Sequence, residues 1–241
     1  MTTIAIANPA EAVGRTTTCI ALATFFGSVG ARVLLVDCDT NGDLTAVVGR
    51  STGVTADDVE SGRATTDQIV APSRINHVDL FATTGLGHKS PQTLSDLFAP
   101  YGYVITDCGA DLDALGTEIL LQSQLIVIPL PAEPAWEREL TEARQFVDDA
   151  WVRGARVTVL PTFTTASPSS RKITALLQER YPGTTLQPGI PFDPALESML
   201  DAGLIEQQPT PGWNAYQQVA SAISVATSVL GAARSVANGA I

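Results

Sequence analysis

The chain alternates short apolar runs with longer stretches of helical periodicity along nearly its whole length. The apolar runs are continuous, which is typical of strands that are covered on both faces of a sheet. Strands and helices that alternate in this way predict a parallel sheet with right-handed crossover connections. We therefore expect an α/β fold in which a twisted, mostly parallel sheet carries helices on both faces. A chain of 241 residues without a Pro-, Ser- or Gly-rich linker suits one such domain, covering residues 1–241.

The apolar runs and the periodic stretches give bounds for each element. The predicted strands cover residues 3–7, 32–37, 78–82, 103–107, 124–129 and 156–160, with a short late strand near 185–188. The predicted helices cover residues 16–29, 93–98, 112–121, 134–153, 169–180, 194–202 and 213–237. Because the first strand starts at residue 3, we expect no DNA-binding extension before it.

The segment NPAEAVGRTTT, residues 8–18, joins the first predicted strand to the first predicted helix. Within it, Gly14, Arg15, Thr16 and Thr17 keep the frame of a phosphate-binding loop. In that frame, backbone N–H groups at a helix N-terminus face an anion and a hydroxyl group reaches a magnesium ion. The segment therefore predicts a phosphate site at the start of the first helix.

Two further segments carry acidic residues at predicted strand ends, DCDTNGDLT (residues 37–45) and DCGADLD (residues 107–113). Ligands of parallel sheets bind at the carboxyl ends of the strands. Aspartates from two strand ends together with a loop threonine suit a magnesium–nucleotide site, because a hard cation takes oxygen ligands and a water must be oriented at the terminal phosphate. Two plainer interpretations remain open. Asp37 and Asp39 could shape a turn with Asn41 and Gly42, and Asp107 could cap the next helix.

The charge balance argues against extended contact with nucleic acid or anionic lipid. The formal net charge is -11, from 25 acidic and 14 basic residues, and a field of that sign repels other polyanions. Arg171, Lys172 and Arg180 form a basic cluster with Glu179 as its close acid, so nonspecific DNA contact would be weak and salt-sensitive. The last predicted helix has an apolar stripe but a mostly small, polar opposite face, which favours packing on the sheet over membrane binding.

The cysteines indicate the compartment. Cys19, Cys38 and Cys108 are an odd number, lack CxxC spacing and fall in predicted buried elements. This pattern favours reduced thiols in a cytoplasmic protein over disulfides or a zinc site. We also expect no membrane span, because no stretch approaches 18 uninterrupted apolar residues.

Six segments, in order, resemble those of the ParA/MinD family of deviant Walker A ATPases, which are P-loop NTPases. The family's loop KGGVGKTT and strand end LLIDxDPQGNLT are matched by AEAVGRTT and LLVDCDTNGDLT, and its YDYVIIDCPP and VIIPLxPE by YGYVITDCGA and VIPLPAE. IPFDPALESMLDAG, residues 190–203, is similar to the family's segment that closes over the adenine, and NAYQQVA, residues 214–220, to its terminal helix.

The resemblance implies a protein that binds ATP or ADP with Mg²⁺, forms a homodimer around the nucleotides and hydrolyses ATP slowly when a ParB-like or other adaptor protein stimulates it. Many members position plasmids, chromosomes or other large cargo. The residues that would bind the nucleotide are Val13, Gly14, Arg15, Thr16, Thr17, Asp37, Asp107, Pro191 and Asp193. The residues that would hold the metal are Thr16, Asp39 and Asp107. Asp39 would also orient the attacking water, as the catalytic residue.

Four departures from the family loop weaken this site. Ala10 stands where the family has the lysine that reaches the partner subunit's phosphates, and Arg15 stands where the family has the lysine beside the β and γ phosphates. An arginine fork does not replace a compact ammonium in a tight cradle. Glu11 and Ala12 replace two glycines, which removes backbone freedom and adds a negative charge. A like-charge contact at about 4 Å costs on the order of 4 kcal/mol at an effective dielectric of 20, so we expect weak or absent ATP binding.

The expected function is that of a ParA-like partition or cargo-positioning protein with a divergent nucleotide site. One alternative is a dimeric scaffold that works without nucleotide and recruits protein partners, as in relatives that place pilus or secretion machinery at a cell pole. Another is a working ATPase in which Arg15 alone suffices. A phosphate-release assay with an Asp39→Ala control would reveal the last case.

Overall fold

The computed structural model describes residues 1–50, 53–87, 89, 91–109, 114–133, 141–142, 145, 156–201 and 209–238. Within these residues, seven strands form one sheet with the spatial order β3-β4-β2-β5-β1-β6-β7. The strands are β1 (Thr2–Ala7), β2 (Val33–Asp37), β3 (Ala71–Pro72), β4 (Val78–Ala82), β5 (Tyr103–Cys108), β6 (Leu125–Pro131) and β7 (Arg156–Thr162). All neighbours are parallel except the edge pair β3 and β4. The predicted α/β fold with a mostly parallel sheet is confirmed.

Eight α-helices are described. They are α1 (Arg15–Ser28), α2 (Asp43–Val48), α3 (Ala56–Glu60), α4 (Pro91–Phe98), α5 (Ala114–Gln122), α6 (Pro168–Arg180), α7 (Pro194–Asp201) and α8 (Pro211–Asn238). A short 3-10 helix covers Thr66–Ile69. None of the helices in the described ranges combines the length and the hydropathy that a transmembrane span needs.

Helices cover both faces of the sheet because successive strand residues point to opposite sides. Ile4 and Ile6 of β1 pack in a core cluster with residues of α1 and α8. Ala5 and Ala7, which alternate with them, pack in a second cluster with residues of α6. A third cluster joins β2, β4 and β5 to α4 and α5. The continuous apolar runs of the sequence are therefore explained by burial on two sides.

The strand register brings the predicted acidic residues together. Asp37 at the end of β2 pairs with Asp107 of β5, and Asp107 also pairs with Ile6 of β1. The carboxyl ends of these three central strands are thus level with one another. The loop after β1, the segment after β2 and the segment after β5 all leave the sheet at this edge.

Several sequence predictions need correction. Residues 185–188 do not form a strand, since Thr185 makes only an isolated bridge to Val159. Helices α2 and α3, the 3-10 helix and the two-residue strand β3 were not predicted, because each is too short to show a clear periodicity. The predicted helix 134–153, the loop residues 110–113 and His88 lie outside the described residues, apart from Thr141, Glu142 and Gln145.

Helix α8 confirms the prediction that the last helix packs on the body of the fold. Val219 and Ile223, two members of its apolar stripe, are fully buried in the cluster that contains α1. The hydroxyl of Tyr216 lies 3.0 Å from the Thr18 hydroxyl of α1, so a polar contact also joins the two helices.

Candidate nucleotide-binding site

Two strands on one side of the sheet hold the loop between β1 and α1. The Asn8 side chain donates to Pro129 O of β6 at 2.7 Å, while its oxygen accepts from Ala10 N at 2.8 Å. At the other end of the loop, the Thr162 hydroxyl of β7 donates to Val13 O at 3.0 Å. These three hydrogen bonds fix the loop shape from within the protein.

The loop enters α1 through Gly14, whose backbone is left-handed with φ 90°. An L-residue rarely adopts this conformation, so glycine is needed here. The first N–H groups of a helix have no partner within the helix and, together with the helix dipole, attract an anion. The Thr18 hydroxyl donates to Gly14 O at 2.7 Å and so stabilises the first turn. The start of α1 thus has the backbone geometry that a phosphate group needs.

Ala12 also has a left-handed backbone, with φ 54°. This is one of the two positions at which the family has a glycine, so the sequence argument about lost backbone freedom is borne out at this residue. The Ala12 side chain is exposed and therefore gains little from packing. The loop keeps its shape at the cost of local backbone strain.

A cleft of about 550 Å³ opens in front of the loop. This volume lies within the range of small-molecule sites. The predicted nucleotide-binding residues that line it are Val13, Gly14, Arg15, Thr16, Thr17, Pro191 and Asp193. The remaining predicted residues, Asp37, Asp39 and Asp107, are buried below the loop at the ends of β2 and β5.

Asp37 organises the segment that follows β2. Its Oδ2 accepts from both the backbone N–H, at 2.8 Å, and the hydroxyl of Thr45, and its Oδ1 accepts from Asp39 N at 3.2 Å. Burial raises the pKa of Asp37 above its usual value, although the bonds from Thr45 oppose this shift. The plainer interpretation of Asp37 as a turn-forming residue therefore describes its contacts well.

Arg15 turns inward from the start of α1 and contacts two acidic residues. One guanidinium nitrogen lies 3.3 Å from Asp39 Oδ2, and Nε lies 3.9 Å from Asp107 Oδ1. Another nitrogen donates to Asn8 O at 3.0 Å and also to Ala10 O. The residue is only 9% exposed, so its charge acts on the interior of the site more than on the cleft.

Asp107 is completely buried and accepts from the Thr16 hydroxyl at 2.7 Å through Oδ2. Its Oδ1 and Arg15 Nε are both buried without a hydrogen bond. Burial raises the pKa of Asp107 from 3.8 to about 7, with the charge of Asp37 adding to this effect, while Thr16 and Arg15 oppose it. The structure thus brings together Thr16 and Asp107, which were predicted as metal ligands.

The segments after β2 and β5 touch at Gly109. A Cβ atom added to Gly109 would lie 3.0 Å from Asp39 Cγ and 3.1 Å from Asp39 Cα. Such contacts are tighter than most real Cβ contacts, so a side chain at residue 109 would push Asp39 away by a few tenths of an ångström, and Gly109 allows Asp39 to stay beside Arg15. The family has a proline here, so this contact is a departure with a structural consequence.

The described lining of the cleft is acidic. Besides Arg15 it contains the carboxylates of Glu11, Asp43, Glu133, Asp193 and Glu197. Glu11 is exposed at the cleft, so the like-charge contact anticipated from the sequence can be relieved by water. The field at the cleft nevertheless opposes a polyphosphate.

The side chains do not fit a magnesium ion as they stand. Mg²⁺ requires near-octahedral oxygen ligands at about 2.0–2.1 Å. The oxygens of Asp37 and Asp39 already accept hydrogen bonds, and the Thr16 hydroxyl is directed at Asp107. No group of three or more acidic, histidine or cysteine residues in the described ranges has the arrangement of a metal site.

Sequence reasoning missed four residues of this site: Asn8, Thr162, Phe163 and Tyr216. Asn8 and Thr162 hold the loop, and Phe163 and Tyr216 line the cleft. Phe163 has φ 51°, and its ring is 3.7 Å from where a Cβ of Gly14 would lie. The position of Thr162 at a strand end was a usable signal, but its partner in the loop depends on the strand order.

The cysteines lie where the sequence placed them. Cys19, Cys38 and Cys108 are all buried, and none forms a disulfide. Burial raises the pKa values of the Cys19 and Cys108 thiols well above the usual value for a cysteine. These thiols therefore stay protonated and act as small core residues.

Comparison with known proteins agrees with the resemblance found in the sequence. The model of a family described as AAA domain matches residues 1–148. Sporulation initiation inhibitor protein Soj of Bacillus subtilis is 31% identical over an alignment of 147 residues, with 54% of this chain and 58% of Soj covered. Chromosome partitioning protein ParA of Caulobacter vibrioides is 30% identical over an alignment of 149 residues, with 54% of this chain and 56% of ParA covered. The chain belongs to this family, the ParA/MinD P-loop ATPases.

Solved structures support the same fold. Cell division ATPase MinD from Pyrococcus furiosus superimposes with a TM-score of 0.77 at 19% identity, covering 92% of this chain and 98% of MinD. Cobyrinic acid a,c-diamide synthase from Mycobacterium smegmatis, with bound ATP analogue and magnesium, gives a TM-score of 0.75 at 22% identity and covers 92% and 94%. At these identities the likeness establishes the fold alone. The alignments to Soj and ParA span little more than half the length of those proteins.

Proposed function

We propose that this member of the ParA/MinD family is a ParA-like partition or cargo-positioning protein whose nucleotide site binds ATP weakly or not at all. The observation that carries the second part is the inward turn of Arg15, which pairs with Asp39 and lies near Asp107 below the cleft. The loop keeps its anion-binding backbone, but its positive charge is used by the protein itself.

The partition role is supported by the relatives, which are named for chromosome partitioning and for the inhibition of sporulation initiation. Nucleotide binding is supported by the loop and the cleft, and by a solved structure of the same fold that holds an ATP analogue. Weak affinity is supported by the acidic lining and by the strain at Ala12. In this proposal Asp39 would orient water for any slow hydrolysis, but only after Arg15 has released it.

We further propose that the chain acts in the cytoplasm as a homodimer with a ParB-like or other adaptor protein. The buried cysteines without disulfides are compatible with a reducing compartment. Nonspecific DNA is a weaker partner in this proposal. Arg171, Lys172 and Arg180 are exposed on α6 beside Glu179, and so small a cluster gives a low affinity that salt lowers further.

A second candidate is a dimeric scaffold that recruits partner proteins without nucleotide. It is favoured by the hydrogen bonds from Asn8 and Thr162, which hold the loop in shape with protein groups only. A loop that needs no ligand to order it can serve as a rigid surface.

The test compares the protein with a variant in which the family loop is restored, carrying Ala10→Lys, Glu11→Gly, Ala12→Gly and Arg15→Lys. Isothermal titration with ATP and Mg²⁺ should give at least a tenfold lower Kd for the restored variant than for the natural chain. Equal and tight binding by both proteins contradicts the weak site. No binding by either protein favours the scaffold, particularly if light scattering finds a dimer in the absence of ATP.

A further inference from the structure

The buried carboxylates at the strand ends need a positive charge, and Arg15 is the group that supplies it. An unpaired carboxylate is costly to bury, so buried acids are found beside cations or hydrogen-bond donors. Asp39 and Asp107 both have an arginine nitrogen within 4 Å, and both nitrogens belong to Arg15. Among the described residues, no other base forms an ion pair with these two acids.

We propose that the Arg15 guanidinium is a built-in cation that takes the place of a divalent metal ion between Asp39 and Asp107. The inference deepens the proposed function, because it concerns the same loop. It explains how a chain that lacks both family lysines can hold the acids Asp39 and Asp107 close together.

The shape of the side chain supports this assignment. A guanidinium is planar and presents five N–H donors, so it can serve several acceptors in different directions at once. Arg15 contacts two carboxylates on one side and the carbonyl oxygens of Asn8 and Ala10 on the other. A lysine ammonium at the end of a flexible stem has three donors and does not span this set as a rigid fork.

The same contacts exclude the metal. Asp39 Oδ2 faces an Arg15 nitrogen at 3.3 Å, and Asp39 Oδ1 accepts from Asn41 N at 2.9 Å. The one carboxylate oxygen of this pair without a hydrogen bond is Asp107 Oδ1, which lies 3.9 Å from Arg15 Nε. A divalent cation on that oxygen would meet a second positive charge at short range in a buried place, where repulsion is strongly felt.

The experiment measures metal binding without nucleotide, by titrating the full chain with Mn²⁺ and following the free ion by electron paramagnetic resonance. The natural chain and Asp107→Asn should show the same Mn²⁺ binding, because the natural chain should bind no Mn²⁺ at Asp107. Arg15→Gln, which removes the charge but keeps a polar side chain, should bind Mn²⁺ at least tenfold more tightly than the natural chain does. Arg171→Ala, an exposed arginine on α6, serves as the matched control and should behave like the natural chain.

Binding of Mn²⁺ to the natural chain that is lost in Asp107→Asn overturns the proposal, whether or not Arg15→Gln folds. Equal Mn²⁺ affinity of the natural chain and a folded Arg15→Gln variant also overturns it. These outcomes are distinct from failure of the proposed function, which is judged by ATP titration. Tight ATP binding that is unchanged by EDTA would contradict the weak site and still support the built-in cation.

Discussion

The substitution Ala12→Gly measures how much the altered loop lowers the free energy of unfolding. Its backbone is left-handed with φ 54°, a conformation that glycine adopts freely. Because the Ala12 methyl group is exposed, replacing it with hydrogen removes little packing. We therefore expect Ala12→Gly to stabilise the protein, in contrast to most glycine substitutions.

The size of the effect follows from two opposing terms. A left-handed conformation costs an L-residue about 1–2 kcal/mol. Glycine gives the unfolded chain more freedom, which costs about 0.4–1 kcal/mol. From the middle of each range, the net gain in the free energy of unfolding should be about 0.8 kcal/mol, or about 2–3 °C in the midpoint for a domain of this size.

The assay is thermal and urea unfolding of the natural chain beside Ala12→Gly and Ala10→Gly. Ala10 lies in the same loop but does not have a positive φ. Ala10→Gly should therefore lower the free energy of unfolding by about 0.4–1 kcal/mol. Opposite signs for the two substitutions support the reasoning. A decrease in stability for Ala12→Gly equal to that for Ala10→Gly would refute it, because the loop would then carry no strain at residue 12.

Three further predictions concern the contacts around the loop. Burial raises the pKa of Asp107 from 3.8 to about 7, so between these two pH values the folded state holds a proton that the unfolded state releases. This stabilisation is complete below the unfolded pKa and is lost as pH rises through about 7. Asp107→Asn should therefore flatten this part of the curve of the free energy of unfolding in urea against pH. An unchanged curve would contradict the raised pKa. Thr162→Val leaves the buried Val13 carbonyl without its donor and should lower the free energy of unfolding by about 1–3 kcal/mol in urea, whereas an unchanged midpoint would show that the tether is dispensable. Gly109→Ala should displace Asp39 from Arg15 and lower the thermal midpoint, while Gly102→Ala, where an added Cβ would have contacts of 3.5 Å or longer, is the milder control.

The sheet could be predicted from the sequence because its strands are buried on both faces and therefore read as continuous apolar runs. Strands such as Val33–Asp37 and Leu125–Pro131 are buried at every residue and carry this signal. Residues 185–188, TLQP, lack such a run and make only one isolated bridge. Helix α2 was missed because six residues do not establish a helical period.

The candidate site could be predicted only in part. Loop order and strand ends were enough to bring Gly14, Thr16 and Asp107 to one edge of the sheet. The direction of the Arg15 side chain was not predictable. It depends on whether the guanidinium is more stable beside the buried carboxylates or in the open cleft, and the sequence does not show how close those carboxylates lie. The hydrogen bond from Thr162 to Val13 O was equally unpredictable, since the two residues are 149 positions apart in the chain.

The hydrogen bonds that join the loop to β6 and β7, from Asn8 to Pro129 O and from Thr162 to Val13 O, also bear on the kinetics of ligand binding. A loop already held by the sheet has little entropy left to lose when an anion arrives. The Ala10 amide hydrogen, which is bonded to Asn8 Oδ1, should therefore exchange slowly with solvent even in the free protein, and ligand arrival should follow simple diffusion rather than wait for a slow rearrangement. Because the loop backbone is already fixed in such a protein, anion binding can be regulated only by a change in the charges around the loop.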